Sequence, residues 1–412
     1  MDWRRREVLR GAGAAGLALG LGACGDARPA VGLPPAGARP SLVPMRLTLD
    51  QLIDVKCCIR PLRAAGPNLS AERLGDTLVI HNYGHGGSGW SLSWGSAEIA
   101  VGKAMSTLPR EVAVIGCGII GLTTAVVAQR AGLRVTIYAR ELIQRTRSFR
   151  ASGSFTPDSR VALAEPAGPA FGDLWEKMAR LSWKAFRTYL GQPGNPVEFG
   201  DSYAVSESPI TRRHWPRDPA ITGSWKPGGL PQQNSEFGHY NDRIKDIMRQ
   251  PVDLAPEENP FALPYAQRSS QMYFNFASYG HALLSEFFAM GGHFINREFH
   301  EPAELAGLPE KVVIHCTGYA ARDFWRDDTI IPVRGQTGWL VPQDDAHYAV
   351  RHHNLSVHSK RDGIVVMNNL DPSGQDIGEM LGVGDSMELP DRGPIEAALK
   401  TLQPLFGRGG RS

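Results

Sequence analysis

The 412-residue sequence is poor in cysteine and carries almost no net charge. Its five cysteines include no C-x-x-C pair, which argues against a zinc site built from cysteine thiolates. The formal net charge is +2 at pH 7, so the overall charge gives no reason to expect a nucleic acid partner. No repeat of fixed period is present, which argues against a solenoid or a propeller.

A long apolar run is also missing, even near the N-terminus. Arg4, Arg5 and Arg6 precede a Gly/Ala/Leu-rich stretch of roughly a dozen residues, which is too short to span a bilayer core. This pattern is typical of a bacterial twin-arginine export signal, and its end at Leu-Gly-Ala-Cys24 resembles a lipobox. We therefore expect residues 1–23 to be the signal. A lipidated Cys24 would hold the exported protein at the periplasmic or extracytoplasmic face of a membrane; an ordinary membrane anchor is the alternative.

Residues 24–45 are rich in proline, glycine and alanine and have no apolar periodicity, which is typical of a flexible tether. Proteins that use the twin-arginine route fold in the reducing cytoplasm, where disulfides are rare. We therefore interpret the remaining cysteines as packing residues; they are Cys57, Cys58, Cys117 and Cys316.

A strand, a turn, a helix and a second strand are predicted in succession over residues 110–141. The β-branched run at 111–115 is typical of a buried parallel strand, and the pattern Gly-x-Gly-x-x-Gly follows it at once. In this setting the glycines let the backbone approach a pyrophosphate at the N-terminus of the helix predicted at 122–131. The predicted dinucleotide contacts are Gly116, Gly118, Ile119, Ile120 and Gly121.

Two charged residues follow the second strand, where a carboxylate is expected to bind ribose hydroxyls. Glu141 is the candidate, and Arg140 stands beside it. The motif alone does not separate NAD from FAD. Export favours FAD, because a tightly held flavin can travel inside a folded protein whereas soluble NAD is scarce outside the cytoplasm.

A second glycine-rich stretch, "HNYGHGG", occupies residues 81–87 and continues as "SGWS". It resembles the signature of the D-amino acid oxidase family of flavoproteins, and "CIRPLR" at 58–63 resembles the Arg-Pro motif of that family. Further similar stretches lie at 151–157, 312–321 and 331–340. The resemblance implies FAD as cofactor and an α/β fold. In that fold a Rossmann-like, doubly wound FAD-binding domain is interlocked with an α+β substrate domain built on a mixed or antiparallel sheet.

The order of these segments differs from that of the family, in which the dinucleotide unit comes first and the Arg-Pro and "HNYGHGG" segments come last. The chain therefore resembles a circular permutation, which requires Leu47 and Phe406 to lie close together. In the connector at 104–110, Leu108 is expected to be extended because it precedes a proline. The predicted divisions are 46–66 (substrate domain, with the Arg-Pro motif), 67–107 (FAD-binding, permuted), 108–158 (FAD-binding βαβ unit), 159–278 (mainly substrate domain), 279–330 (FAD-binding) and 331–412 (substrate domain).

The resemblance also implies roles for single residues. Arg60 would hold the substrate carboxylate, and Gly87 would let the backbone approach the flavin and the substrate amine. Ser91 matches the position whose hydroxyl contacts the pyrimidine edge of the flavin. We interpret His81 and His85 as structural, with both rings hydrogen-bonded within the glycine-rich turn. The other residues expected to contact the cofactor are Gly86, Ser88, Gly89, Ser152, Gly153 and Thr156.

The reaction that the resemblance implies is oxidation of a D-amino acid, with hydride transfer from Cα to flavin N5. The imino acid would hydrolyse to a keto acid and ammonia, and either O2, giving hydrogen peroxide, or a membrane electron acceptor would reoxidise the flavin. Two alternatives stay open: a glycine or secondary-amine oxidase on the same fold, and a non-catalytic protein that keeps only the fold.

Three further features of the sequence bear on the substrate site. The stretch at 355–369 lacks the tyrosine with which the family binds the substrate carboxylate, and His353, His358 and Tyr348 are the candidate replacements. Residues 171–191 have the apolar spacing of an amphipathic helix. Residues 224–243 are loop-like and are predicted to lie over the site entrance. In the helix predicted at 171–191, the residues expected to face the protein core are Leu174, Met178, Leu181, Trp183 and Phe186.

Overall fold

The computed structural model describes residues 42–210, 237–370 and 378–406. The predicted signal, Cys24 and most of the predicted tether lie outside these ranges, and so does the greater part of the loop predicted at 224–243. Within the described ranges, no helix has the length and apolar character needed to cross a membrane.

Fourteen strands and seven α-helices are found in the described part of the chain, joined by short 3₁₀ turns. In chain order they are β1 (Leu52–Arg63), β2 (Ala71–Leu74), β3 (Thr77–His81), α1 (Gly89–Ala104), β4 (Glu111–Ile115), α2 (Ile119–Arg130), β5 (Arg134–Ala139), α3 (Ala164–Ala167), α4 (Phe171–Phe186), β6 (Val197–Ser206), β7 (Val252–Asp253), β8 (Tyr265–Phe274), α5 (Phe276–Ala289), β9 (His293–Asn296), β10 (Val312–His315), α6 (Ala321–Phe324), β11 (Ile330–Leu340), β12 (Tyr348–His352), β13 (Leu355–Lys360), β14 (Gly363–Asn368) and α7 (Arg392–Leu402).

The first sheet has the strand order β2-β3-β10-β4-β5-β9, and all of its strands except the edge strand β2 run parallel. From β4 the chain passes through α2 to β5 on one side, while β10 lies on the other side of β4. Such a reversal of strand order leaves a crevice beyond the carboxyl ends of the strands, where open α/β sheets bind ligands. The predicted Rossmann-like domain is confirmed.

The second sheet has eight strands in the order β1-β11-β14-β13-β12-β6-β8-β7. It is mixed, because β12 and β6 are parallel whereas the other neighbours are antiparallel. The longest pairing joins β1 to β11, from Leu52 opposite Leu340 to Arg63 opposite Ile330, and it fixes the position of the Arg-Pro motif. This is the mixed sheet expected for the substrate domain.

The strand–turn–helix–strand unit lies close to its predicted bounds. β4 begins and ends where the β-branched run does, whereas α2 begins at Ile119, three residues before the predicted start. α4 ends at Phe186 rather than at residue 191. Its fully buried Trp175 was not among the predicted core residues, whereas the fully buried Met178 and Phe186 were. Leu108 is left-handed, with φ 49° and ψ 50°, so the expectation that it is extended is wrong.

The two ends of the described chain meet in one apolar core. Met45 and Leu47 belong to the same buried cluster as Leu402 and Phe406. The N-terminal segment is also held by hydrogen bonds to the second sheet and its loops, since the Tyr348 hydroxyl donates to the carbonyl of residue 43 at 2.7 Å. Residues early in the chain therefore complete a core that the last helix helps to form.

Candidate active site

A cavity of about 780 Å³ is lined by residues of both sheets. Gly116 after β4 and Thr317 after β10 border it on one side, and Arg60 of β1 and His358 of β13 border it on the other. A cavity of this size lies within the range of cofactor and small-molecule sites. Its position at the carboxyl ends of β4 and β10 is the one that the sheet topology indicates.

The loop between β4 and α2 needs its glycines for steric reasons. Gly116 has a φ of 104°, and a Cβ there would lie 2.6 Å from the carbonyl oxygen of Cys316. A Cβ on Gly121 would overlap the carbonyl oxygen of Gly116, so this glycine lets α2 pack against the end of β4. Gly118, Ile119 and Ile120 line the cavity, which brings the N-terminus of α2 to it. Such a helix terminus is suited to a phosphate group.

The charge of the cavity wall is strongly positive. Arginine is the most frequent charged residue in it, whereas its acidic residues are few. Glu388 is paired with Arg147 and Arg150, and Glu298 with Arg140, so two of the three lining acids are already neutralised. An anionic ligand is therefore favoured. The lining arginines are Arg60, Arg140, Arg145, Arg147, Arg150, Arg160, Arg297 and Arg351, and the lining acids are Glu141, Glu298 and Glu388.

Arg60 reaches the cavity from the middle of β1. Its Nε donates to the carbonyl of Val333 at 3.3 Å and its Nη2 to the carbonyl of Arg334 at 3.0 Å. A Cβ at residue 335 would lie 2.8 Å from Nη2, so Gly335 makes room for the guanidinium. Burial lowers the pKa of Arg60, which still remains a cation in the neutral range. Among the described residues Nη1 has no acceptor, so the group can still bind a carboxylate.

Two buried imidazoles also line the cavity. Burial lowers the pKa of His85 to about 3, and burial together with the charge of Lys360 lowers the pKa of His358 to about 4. Nε2 of His85 and Nδ1 of His358 are buried and have no hydrogen-bond partner among the described residues. Both rings are therefore neutral near pH 7 and carry a polar nitrogen that a ligand can satisfy.

Comparison with known proteins decides the family. The family model named DAO, described as FAD dependent oxidoreductase, matches residues 111–406. That range contains the glycine loop, most of the cavity wall and the last helix. The chain belongs to this family.

The curated relatives of this FAD dependent oxidoreductase include D-amino-acid oxidases. That of Streptomyces coelicolor is 28% identical over 249 residues, which are 57% of this chain and 63% of the relative. That of Dictyostelium discoideum is 27% identical over 233 residues, which are 54% of this chain and 55% of the relative. The D-aspartate oxidase of Cryptococcus neoformans is 53% identical over 58 residues, or 13% and 14% of the two chains. The matches therefore span less than two thirds of each of these relatives.

Two solved structures show a similar but distant arrangement. An L-amino acid deaminase from Proteus vulgaris, lacking its specific insertion sequence, superimposes with a TM-score of 0.47 at 16% identity, covering 73% of this chain and 75% of that one. Glycine oxidase from Geobacillus kaustophilus gives a TM-score of 0.40 at 12% identity, covering 62% of this chain and 70% of that one. These values carry no information about the substrate.

The residues around the cavity fit FAD. The glycine loop and the N-terminus of α2 would hold the pyrophosphate, and Glu141 at the end of β5 would bind ribose hydroxyls. The excess of arginine suits the negative charge of the diphosphate, and the unpartnered nitrogens of His85 and His358 leave polar groups for the ring or the substrate. When bound, FAD supplies the hydride acceptor of the family's chemistry.

Most residues predicted for the site line the cavity of this oxidoreductase, but four do not. Ser91 is buried and accepts the backbone N–H of Thr156 at 2.8 Å, while Ser88 donates to the carbonyl of Ser159 at 3.1 Å. Gly121 packs within the loop, as described above. The predicted residues that line the cavity are Arg60, Gly86, Gly87, Gly89, Gly116, Gly118, Ile119, Ile120, Arg140, Glu141, Ser152 and Thr156, and those that do not are Ser88, Ser91, Gly121 and Gly153.

Several predicted glycines are required for reasons other than contact with the flavin. At Gly86 a Cβ would overlap the carbonyl oxygen of Arg160, and at Gly87 it would lie 2.7 Å from that of Ser159. The N–H of Gly87 donates to the same Ser159 carbonyl at 2.9 Å, so this amide is not free for a substrate. At Gly153 a Cβ would lie 2.7 Å from Nζ of Lys360. These glycines therefore hold neighbouring loops together.

The structural interpretation of the two histidines is correct in part. His81 is bonded on both ring nitrogens, to His315 at 3.0 Å and to Glu72 at 2.7 Å, although neither partner belongs to the glycine-rich turn. His85 is different, because its Nε2 lacks a partner among the described residues. The prediction that both rings are hydrogen-bonded within the turn is therefore wrong.

Of the three candidates for the missing tyrosine, His358 alone lines the cavity. Tyr348 is buried in the core below α7, and His353 is exposed on a turn. Tyr203 of β6 is part of the cavity wall, but its ring packs against those of Phe261 and Tyr348 in that same core. Its hydroxyl donates to Asp201 at 3.3 Å.

Arg160 is the main functional candidate that the sequence did not indicate. It lines the cavity, and its Nε donates to the carbonyl of Glu379 at 2.7 Å. Burial, and then the charge of Arg60, lower its pKa to about 9. Its φ of 48° is unusual for a residue with a side chain. No motif marks this position, because its proximity to Arg60 depends on the packing of distant segments.

Proposed function

We propose that this protein oxidises a D-amino acid to an imino acid with FAD as hydride acceptor. The observation that carries the proposal is the buried guanidinium of Arg60 in the wall of the cavity that the glycine loop also lines. An arginine in such a place binds a carboxylate with charge-assisted hydrogen bonds and so fixes the orientation of a small amino acid. The D-amino-acid oxidases among the relatives support the same substrate class.

The residues of the cavity would bind and orient the substrate rather than carry its protons. A pKa of about 3 makes His85 a poor base at neutral pH, so this imidazole would contact the substrate without taking up its proton. His358 would border the substrate from the second sheet. The substrate amine therefore has to arrive neutral or lose its proton to water.

Anaerobic bleaching of the flavin absorption tests this proposal. We expect the yellow protein to be bleached by D-amino acids and not by their L-enantiomers. The panel includes D-alanine, D-aspartate and D-glutamate, since the second guanidinium, that of Arg160, favours an additional anionic group. Bleaching by glycine or sarcosine alone would support the secondary-amine alternative. A colourless protein, or a yellow one that no amine reduces, would contradict oxidation.

We further propose that the flavin is reoxidised by O2, with a membrane quinone as the second candidate because of the expected lipid anchor. The two acceptors leave different products. Peroxide formed in equal amount to the keto acid supports O2, whereas turnover that depends on an added quinone and yields no peroxide supports the membrane acceptor.

We propose that residues 1–23 direct export and that Cys24 is lipidated. The support is the sequence pattern alone, Arg4 to Arg6 followed by a short apolar stretch and Leu-Gly-Ala-Cys. A Cys24→Ala variant is expected to move from the membrane to the soluble periplasmic fraction, and replacement of both Arg5 and Arg6 by lysine should retain the chain in the cytoplasm. Unchanged fractionation of both variants would contradict the proposal.

We also propose that the chain is a circular permutation of its family's arrangement. The family match begins at Glu111, the first residue of β4, and ends at Phe406. The segment before it supplies β1, which pairs with β11, and β3, which runs parallel to β10. In the family's order, the segment that ends near Phe406 would continue directly into the segment that begins near Leu47. The buried cluster that contains both residues supports such a connection.

A further inference from the structure

Three potential metal ligands lie together outside the cavity. They are Glu207, just beyond the end of β6, His352 at the end of β12, and His353 in the turn that follows it. Oε1 of Glu207 is 3.4 Å from Nε2 of His352, and Oε2 is 3.1 Å from Nε2 of His353. One ligand atom from each residue lies within 4.8 Å of the other two. None of the three residues lines the cavity.

The sheet brings these residues together. β6 and β12 are parallel neighbours, and Val205 stands opposite His352. Glu207 follows Val205 by two residues, so it extends the same side of β6 toward the histidine. His353 has a φ of 49°, and this turn places its ring 4.2 Å from that of His352. A left-handed conformation at a residue with a side chain is rare and often marks a functional constraint.

The hydrogen bonding of His352 fixes which of its nitrogens is free. Nδ1 lies 3.3 Å from the carbonyl oxygen of Val205, and because a carbonyl only accepts, Nδ1 carries the proton. Nε2 is then the nitrogen that faces the carboxylate of Glu207. A backbone carbonyl that orients an imidazole in this way is the usual support of a metal-binding histidine.

We propose that Glu207, His352 and His353 bind a zinc ion. Two imidazole nitrogens and one carboxylate oxygen are ligands that Zn²⁺ prefers, whereas Mg²⁺ and Ca²⁺ prefer oxygen alone. Three protein ligands leave one tetrahedral position, which water fills. One ligand atom of each residue lies within 4.8 Å of the other two, and the separations of 3.4 and 3.1 Å reach His352 and His353 from the two oxygens of Glu207.

The bound ion would fasten the ends of β6 and β12 beside the substrate cavity. Arg351 lines the cavity, and alternation along the strand directs His352 to the opposite face. Ala204 of β6, which alternates with Val205 in the same way, lines the cavity as well. Zinc has no redox chemistry, so its role here is structural and does not depend on the proposed oxidation.

Calorimetric titration of the full-length, FAD-loaded protein with Zn²⁺ tests the proposal. We expect one ion per chain and a rise in the temperature of unfolding. The variants His352→Gln, His353→Gln and Glu207→Gln should each weaken zinc binding by more than about 100-fold. Loss of a residue that binds the metal directly should lower the affinity more than loss of a residue that only hydrogen-bonds to a ligand, which costs about 10- to 100-fold. His293→Gln is the matched control, since it replaces an exposed histidine of β9 away from the cluster.

X-ray absorption of the zinc-loaded protein gives an independent measurement that does not depend on folding of a variant. Only nitrogen and oxygen ligands at about 2.0–2.1 Å are expected. Sulfur ligands at about 2.3 Å would place the ion on cysteine and overturn the proposal. Absence of stoichiometric binding, binding of Cu²⁺ or Ni²⁺ but not Zn²⁺, or binding that survives all three substitutions would overturn it as well.

Discussion

At the scale of single residues, the guanidinium of Arg60 combines two functions. Its bonds to the carbonyls of Val333 and Arg334 hold it in the second sheet, while Nη1 remains available among the described residues. Lysine has one nitrogen and no planar fork, so it cannot keep both bonds and also bind a carboxylate. In the proposed function, Arg60 would therefore link the pairing of β1 with β11 to recognition of the substrate.

The variant Arg60→Lys is expected to raise the KM for the best D-amino acid by about 10- to 100-fold, which corresponds to the loss of one hydrogen bond to a charged group. The flavin content should not change, because the glycine loop is untouched. Steady-state kinetics and the flavin absorbance measure the two effects. Arg134→Lys, on the exposed end of β5, is the control and should leave KM unchanged. Equal KM values for both variants would contradict the role of Arg60.

The buried imidazole of His85 makes stability depend on pH. Its pKa is about 3 in the folded protein, against an ordinary value near 6.5. Between these values the unfolded chain binds a proton that the folded chain does not. The free energy of unfolding therefore falls as the pH decreases below about 6.5, by at most about 1.4 kcal/mol per pH unit for this group.

Urea unfolding of the FAD-loaded protein between pH 7 and pH 5 measures this dependence. His85→Asn is expected to make the loss of stability on acidification shallower, by at most about 1.4 kcal/mol per pH unit. His293→Asn, which changes an exposed histidine, should leave the slope as it is. An unchanged slope in His85→Asn would mean that this imidazole binds protons equally in the folded and unfolded states, which contradicts the lowered pKa.

At the scale of elements, the β4–α2–β5 unit could be predicted because its signals are local. A β-branched run, three spaced glycines and a second apolar run lie within about thirty residues and fix a strand, a turn and a helix. The contacts of Arg160, Tyr203 and the second glycine-rich turn could not be predicted. They depend on packing between segments that are distant in sequence, which a residue's own neighbours do not determine.

Gly121 of this unit and Gly102 of α1 form a matched pair for glycine substitutions. A Cβ at Gly121 would overlap the carbonyl oxygen of Gly116, so Gly121→Ala should displace α2 from β4 and abolish most flavin binding. Gly102 is exposed on α1, and a Cβ there meets nothing within 4 Å. Gly102→Ala should therefore keep the flavin and gain up to about 1 kcal/mol in stability from helix propensity. Flavin absorbance and thermal unfolding of the two variants provide the comparison, and equal flavin content would contradict this role of Gly121.

At the scale of the whole molecule, the segment 42–107 is part of both sheets although it precedes the matched range. It contributes β1 to the mixed sheet and β2 and β3 to the parallel one. The buried cluster that contains Leu47 and Phe406 also contains side chains of β6, β12, β13 and β14. Chain order is therefore not what holds the two sheets together, and the contacts should survive a different choice of ends.

Restoring the family's order tests this argument. The new chain begins at Pro109, continues to Phe406, passes through a flexible linker of about ten residues spanning roughly 17 Å, and ends with residues 42–108. Its new ends lie in the connector that contains Leu108, whose side chain is 81% exposed, so little packing is lost there. We expect it to bind FAD with an unchanged spectrum and to oxidise the same substrates. A chain that folds and binds FAD only in the present order would show that the connector at 104–110 is required for folding, and the proposed permutation would then lose its support.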